Sequence, residues 1–231
     1  MVTENQILQM REKLKRYRSR FLRKEFSGLD ESATRIMVNN FLTDILGYAE
    51  LVDIKTEYRI RGEYADYVIQ VGRKKRFVVE VKSISLDLNE KHLRQSLNYA
   101  ANEGIDWILL LNGRQIELYK VNFSKPIKST IVLSFDLIDN DDFKIAPEFI
   151  SYLTKRSVEK NELDNLWKRI SALSPVVIAK DLYSEEIVRD LRNCLKRETG
   201  IYFQLDDVAK ALYSVITQPI DFGRPRLKKL K

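Results

Sequence analysis

The residues best suited to chemistry in this sequence are two acids and a lysine, Asp66, Glu80 and Lys82. Side chains alternate between the two faces of a β-strand, so Glu80 and Lys82 project from one face if residues 76–82 form a strand. Carboxylates that lie close together repel each other, and a hard cation removes that repulsion, because Mg²⁺ is held by one or two carboxylates with waters and phosphate oxygens. A lysine beside such an ion could orient or deprotonate a water, or stabilise charge on a phosphate. These residue types indicate metal-assisted hydrolysis of a phosphodiester.

The turn between two predicted strands decides whether Asp66 and Glu80 meet. Residues 64–71 and 76–82 are rich in β-branched and aromatic side chains and flank Gly72-Arg73-Lys74, which predicts a hairpin. A three-residue turn places Asp66 directly opposite Glu80, with Cβ atoms roughly 5 Å apart. A two-residue turn would place Asp66 opposite Val81 and direct the two carboxylates to opposite faces.

The tripeptide acid-x-Lys is a weak signal, because it occurs three times, at Asp53, Glu80 and Asp142. Only the copy at Glu80 ends a strongly apolar predicted strand that follows an aspartate placed by a hairpin. The alternative interpretation is that Glu80 and Lys82 are solvated residues on the outer face of an antiparallel sheet.

The order of Asp66, then Glu80-Val81-Lys82, then Gln95 and Tyr99 resembles the pattern D…E-x-K…Q-x-x-x-Y of the PD-(D/E)XK nuclease superfamily. More narrowly, residues 30–121 are similar to the N-terminal nuclease domain of type I restriction enzyme R subunits. Ala65 stands where the superfamily's name has a proline.

The resemblance implies a Mg²⁺ or Mn²⁺ site with Asp66 and Glu80 as ligands and Lys82 as the residue that activates water. It also implies a third ligand from the preceding helix, which would be Glu31. An acid at that position is also favoured by the helix dipole alone.

The third motif lies on a helix predicted from Asn89, a suitable N-cap, to Gly104. His92, Gln95 and Tyr99 share one face of that helix by spacing. The resemblance implies that Gln95 positions Lys82 or a phosphate and that Tyr99 forms a hydrogen bond near the scissile group, whereas His92 is expected at a polar surface.

The predicted elements give an α/β fold with a restriction-endonuclease-like core, in which a helix, three strands, a helix and two strands form a mixed sheet. Residues 131–137 are either one more strand or an arm over the core. We expect four regions: a basic amphipathic helix in residues 1–26, the nuclease-like core in residues 27–125, a connecting segment in residues 126–160, and a helical C-terminal module with a basic tail in residues 161–231.

Composition favours a soluble protein with a polyanionic partner. The chain has 231 residues, a net charge of +7, 44% hydrophobic residues and one cysteine, Cys194. A single cysteine excludes a disulfide framework and a cysteine-rich zinc site, and fits a reducing cytoplasm. The sequence contains no apolar run of transmembrane length and no G-x-x-x-x-G-K-[ST] motif.

The sequence therefore predicts a cytoplasmic, free-standing, Mg²⁺- or Mn²⁺-dependent deoxyribonuclease without a helicase motor. The alternative is a catalytically silent nuclease-like module that binds nucleic acid or a partner protein, and a coincidental motif on a sheet with an unrelated ligand is a third. The C-terminal helices are expected to allow a homo-oligomer or a protein partner.

Overall fold

A computed structural model describes residues 1–60 and 63–217 of the chain. The chain divides into two compact units, Met1–Trp167 and Lys168–Lys231. The expectation of a mixed α/β fold is confirmed, because the first unit combines helices with a six-stranded sheet. The predicted basic tail from residue 224 onward lies outside the described residues.

The sheet of the first unit has its six strands in chain order, and only the central pair is parallel. The third and fourth strands run parallel and all other neighbours are antiparallel. A parallel pair needs a crossover connection, which is made here by helix α3 (Arg94–Glu103). The strands are β1 (Ile54–Ile60), β2 (Glu63–Val71), β3 (Lys74–Val81), β4 (Trp107–Leu111), β5 (Gln115–Asn122) and β6 (Lys128–Asp136).

Helices cover both faces of this sheet. One face packs against α1 (Glu4–Phe21), α2 (Glu31–Asn40), α4 (Asn140–Ile150) and the π-helical turn Phe41–Ile45, and the other packs against α3. Asp30 caps α2 by accepting a hydrogen bond from the backbone N–H of Ala33. The remaining helices that begin in this unit are α5 (Lys155–Glu159) and α6 (Glu162–Ala172).

The sheet extends beyond the two strands expected after α3. Residues 128–136 form β6, which pairs antiparallel with β5 along its length, so this segment is a strand rather than an arm. The first unit also continues to Trp167, whose ring packs edge-on against Trp107 of β4 with a centroid separation of 6.2 Å. Segment 126–160, expected as a connection, thus supplies a strand and a covering helix to the sheet.

The first helix is part of the same core. The apolar stripe of α1, which includes Met10, Leu14 and Tyr17, is buried in the hydrophobic cluster on one face of the sheet, where α1 contacts α4 and the π-helical turn, and its basic residues remain outside. The hydroxyl of Tyr17 donates a buried hydrogen bond to the carbonyl oxygen of Gly113 at 2.7 Å. This bond fixes α1 to the turn between β4 and β5.

The second unit is helical over its described residues. It contains α7 (Pro175–Leu182), α8 (Glu185–Thr199) and α9 (Leu205–Thr217). Ser174 and Ser184 cap α7 and α8. Within residues 1–60 and 63–217, no helix is long and apolar enough to cross a membrane.

We predict that Tyr17→Phe lowers the free energy of unfolding of the first unit by about 1–3 kcal/mol, because the carbonyl of Gly113 loses its buried partner. The only two tryptophans of the chain, Trp107 and Trp167, lie in this unit, so urea denaturation followed by tryptophan fluorescence reports on it alone. Tyr202→Phe, at a side chain that is 58% exposed in the second unit, is the matched control and should leave the transition unchanged.

Candidate active site

A β-bulge between β2 and β3 sets the geometry of the candidate site. Val71 pairs with Lys74, so the turn is Gly72-Arg73, and the predicted three-residue turn Gly72-Arg73-Lys74 is wrong because Lys74 already belongs to β3. The register shifts by one residue after Ile69, which pairs with Phe77 and leaves Arg76 as the extra residue.

Beyond the bulge the register matches the one that a three-residue turn would give. Tyr67 pairs with Val79, and the next position along places Asp66 beside Glu80. The backbone N–H of Val81 donates to Oδ2 of Asp66 at 2.7 Å, which shows that the aspartate points at the end of β3. The expectation that a two-residue turn separates the carboxylates is therefore wrong, because the bulge compensates for the shorter turn.

Glu80 and Lys82 form a direct and largely buried ion pair. Nζ of Lys82 lies 2.6 Å from Oε1 of Glu80, and the side chain of Glu80 is only 8% exposed. The other oxygen, Oε2, accepts a hydrogen bond at 2.5 Å from the hydroxyl of Ser96 on α3, which is fully buried. The interpretation of Glu80 as a solvated outer-face residue is therefore wrong.

Asp66 is bound by a helix on the opposite side from α3. Nη2 of Arg35 on α2 lies 2.5 Å from Oδ1 of Asp66 and 3.2 Å from Oε1 of Glu31. Burial is the largest influence on the pKa of Asp66 and raises it, and the charge of Glu80 raises it further. The hydrogen bond from Val81 and the charges of Arg35 and Lys82 act in the opposite direction but do not cancel the increase.

The other two copies of acid-x-Lys serve structural purposes. Asp53 is buried and accepts from Nζ of Lys155 at 2.8 Å and from the backbone of Ala49 at 2.7 Å. Asp142 accepts from the backbone N–H of Asp136 at 2.8 Å. Among the described residues, the acid and the lysine of the motif contact each other only in the copy at Glu80.

The two motif residues on helix α3 differ in their exposure to solvent. Tyr99 is fully buried in the core on this face of the sheet, whereas Gln95, four residues earlier, is exposed in the first turn. Ser96, between them in the sequence, is the α3 residue that contacts Glu80. The catalytic roles of Gln95 and Tyr99 stay predictions.

Sequence reasoning missed Arg35, Ser96 and the bonds that fix α2 to the segment after β3. Thr34 accepts a buried hydrogen bond from the backbone N–H of Ile84 at 3.0 Å, and the hydroxyl of Ser83 donates to the carbonyl of Leu29 at 2.7 Å. The only local signal was that Arg35 lies four residues after Glu31, a spacing that favours an ion pair on a helix.

The donor types at this site suit a hard divalent ion, since Asp66 and Glu80 offer carboxylate oxygens. In the part of the chain that is described, no three acidic, histidine or cysteine residues are already grouped as a metal cluster. All four oxygens of Asp66 and Glu80 accept from protein donors. An ion would therefore replace at least one of those donors.

These features define a mixed α/β domain with a buried acid–lysine pair beside a second carboxylate. Residues 30–131 match the family model described as the type I restriction enzyme R protein N terminus, which confirms the resemblance predicted for residues 30–121. The matched range contains all six predicted site residues and supports a nuclease-like domain. A search of curated proteins and a search of solved structures each gave no significant match.

The raised pKa of Asp66 predicts a pH-dependent stability. A carboxyl whose pKa lies above its ordinary value of 3.8 binds its proton more tightly in the folded protein, so its contribution to stability falls as the pH rises through that region. We expect Asp66→Asn, measured against the wild type by urea denaturation, to be relatively more stable at about pH 7 than at about pH 3.5.

The control variant, Asp139→Asn, should show the opposite dependence of stability on pH. Hydrogen bonds from the backbone of Asp142 and Asp141 lower the pKa of Asp139, so its contribution is present above the ordinary value of 3.8 and is lost as the pH falls. Asp139→Asn should therefore lose more stability at about pH 7 than at about pH 3.5. The same pH trend in both variants would contradict this assignment.

Proposed function

We propose that the first unit is a nuclease with a restriction-endonuclease-like core of the PD-(D/E)XK type, which hydrolyses phosphodiester bonds of DNA with Mg²⁺ or Mn²⁺. The observation that carries this proposal is the bulge-set register, which brings Asp66 beside the Glu80–Lys82 pair. The family match over residues 30–131 supports a restriction-enzyme-like hydrolase and an interaction with DNA.

In this proposal Asp66 and Glu80 hold the divalent ion, and Glu31 is a third ligand. The bound ion supplies Lewis-acid stabilisation of the phosphate and lowers the pKa of a bound water. Ser96 restricts the orientation of the Glu80 carboxylate through its hydrogen bond to Oε2. Lys82, already 2.6 Å from Glu80, directs its ammonium at the substrate or the attacking water.

The two residues from α3 contribute differently. Gln95 is exposed and available to contact a phosphate. The full burial of Tyr99 disfavours a direct hydrogen bond near the scissile group and favours a packing role that holds α3 against the sheet.

A catalytically silent binding module is the second candidate. The observation that favours it is that protein donors already satisfy every carboxylate oxygen of Asp66 and Glu80. Such a site is stable without an ion, so the presence of Asp66 and Glu80 does not by itself establish catalysis.

A cavity formed by segments that flank the candidate residues in sequence carries cationic side chains, which supports a nucleic-acid partner. It has a volume of about 460 Å³ and a mixed lining, in which Arg23, Lys24, Ser27, Ser85 and the ion-paired Arg114 are joined by the apolar side chains of Leu22, Ile84 and Ile138. Ser27 lies shortly before α2 and Ser85 shortly after Lys82, so the cavity adjoins the segments that carry the candidate residues. Cations and hydroxyls at a concave surface suit a backbone phosphate.

We expect Glu80→Ala and Lys82→Ala each to reduce metal-dependent DNA cleavage by at least about 100-fold, because each removes a group that acts on the reacting phosphate. Linear and supercoiled DNA should be incubated with protein in Mg²⁺, Mn²⁺ or EDTA, with an RNA of the same sequence in parallel. Lys144→Ala, the exposed lysine of another acid-x-Lys copy, is the matched control and should cleave like the wild type.

Two results would count against the enzyme. The absence of metal-dependent cleavage by the wild type, together with retained DNA binding, would favour the silent module. Cleavage that is equal in the wild type, Glu80→Ala and Lys82→Ala would place the chemistry elsewhere. Cleavage of RNA alone would correct the substrate class.

The cavity predicts a separate binding defect. Arg23→Glu with Lys24→Glu should weaken DNA binding and lower the slope of log K against log salt by about 2, since each phosphate contact contributes about 0.9. Arg11→Glu with Lys15→Glu changes the net charge equally on exposed positions of α1 and is the control. Fluorescence anisotropy at several salt concentrations measures both, and equal slopes for the two variants would show that only net charge matters.

A further inference from the structure

Arg35 connects two carboxylates that come from different elements. A single nitrogen, Nη2, lies 2.5 Å from Oδ1 of Asp66 on β2 and 3.2 Å from Oε1 of Glu31 on α2. The Arg35 side chain is 35% exposed, so it lies at the mouth of the site rather than within the core. The guanidinium therefore lies between two of the three carboxylates that are proposed as metal ligands, Asp66 and Glu31.

A divalent ion and this guanidinium compete for the same oxygens. Arginine stays charged at every accessible pH, so Arg35 cannot relieve the repulsion by losing a proton. Of the two oxygens of Asp66, Oδ2 is engaged by the backbone of Val81 within the sheet, which leaves Oδ1 as the one that can change partner by a side-chain rotation. Arg35 must then move away from Asp66 when the ion binds.

We propose that Arg35 is a phosphate-binding residue of this site, which holds Asp66 in the metal-free protein and transfers its guanidinium to a backbone phosphate of DNA when a divalent ion binds. This inference rests on the proposed function. The released guanidinium loses its closest anionic partner at a partly exposed position, and its planar fork matches a phosphate with two parallel hydrogen bonds.

The exchange makes metal binding and DNA binding cooperative. Binding of the divalent ion releases the Arg35 guanidinium for a DNA phosphate. Binding of that phosphate keeps the guanidinium away from the oxygens that the ion needs. Because coupling between two ligands is reciprocal, each should increase the affinity of the other by the same factor. Removing Arg35 should uncouple the two events.

The test compares wild type, Arg35→Gln and the exposed control Arg11→Gln. Titration calorimetry with Mn²⁺ in the absence of DNA should show at least about fivefold tighter binding to Arg35→Gln than to the other two proteins. Anisotropy with a short DNA duplex should show that Ca²⁺ increases the affinity of the wild type and the control for DNA but not that of Arg35→Gln. If Arg35→Gln does not fold, Arg35→Lys, which keeps the charge but lacks the fork, should bind Mn²⁺ like the wild type and lose most of the Ca²⁺-dependent gain in DNA affinity.

The outcomes separate this inference from the nuclease proposal. Equal or weaker Mn²⁺ binding by Arg35→Gln, with normal metal-dependent cleavage by the wild type, would overturn the role of Arg35 alone. An unchanged Ca²⁺-dependent gain in DNA affinity in Arg35→Gln would do the same. No Mn²⁺ binding by any of the proteins would overturn both proposals, because the site would then hold no metal.

Discussion

The candidate site depends on one extra residue in a β-ladder. With a two-residue turn and no bulge, Asp66 would face away from Glu80, and the acid–lysine pair would have no second carboxylate beside it. Arg76 is that extra residue, and its guanidinium contacts Asn161 at 3.0 Å and Asp164 at 3.6 Å. The register of the hairpin is therefore linked to the chain after α5, far from the site in sequence. A bulge held in this way orients side chains and is not a defect of the sheet.

This register imposes an electrostatic cost that the protein offsets with its own cations. Burial raises the pKa of Asp66, and the charge of Glu80 on the adjacent strand raises it further, so joint ionisation of the two carboxylates is disfavoured. Lys82 compensates Glu80 from the same strand, and Arg35 compensates Asp66 from α2. The four oxygens of the two carboxylates therefore have hydrogen-bond donors without an ion. An ion that bound there would have to replace at least one of these donors.

Local sequence patterns predicted the elements well but not their partners. The apolar run of β4, the cap at Asn89 and the β-branched and aromatic content of β2 and β3 are properties of short segments, and the structure contains each of these elements. The bulge at Arg76 was not predictable, because the basic residues around Gly72 suit turns of either length. Arg35 and Ser96 were missed because their significance arises only when α2 and α3 pack at opposite sides of the β2–β3 pair. The burial of Asp53 against Lys155 could not be predicted from short sequence patterns either, because the two residues are 102 positions apart.

The family match and the structure describe different extents of the same domain. The matched range ends at residue 131, within β6, whereas the compact unit continues to Trp167. Helix α1 before the match and α4 after it cover one face of the sheet, and Trp167 packs on β4, the parallel neighbour of β3. Residues outside the matched range therefore belong to the same hydrophobic cluster as Phe77, Val79 and Val81 of β3, the strand that carries Glu80. All six predicted site residues lie in the matched segment, whereas Asn161 and Asp164, which contact the bulge residue Arg76, lie outside it.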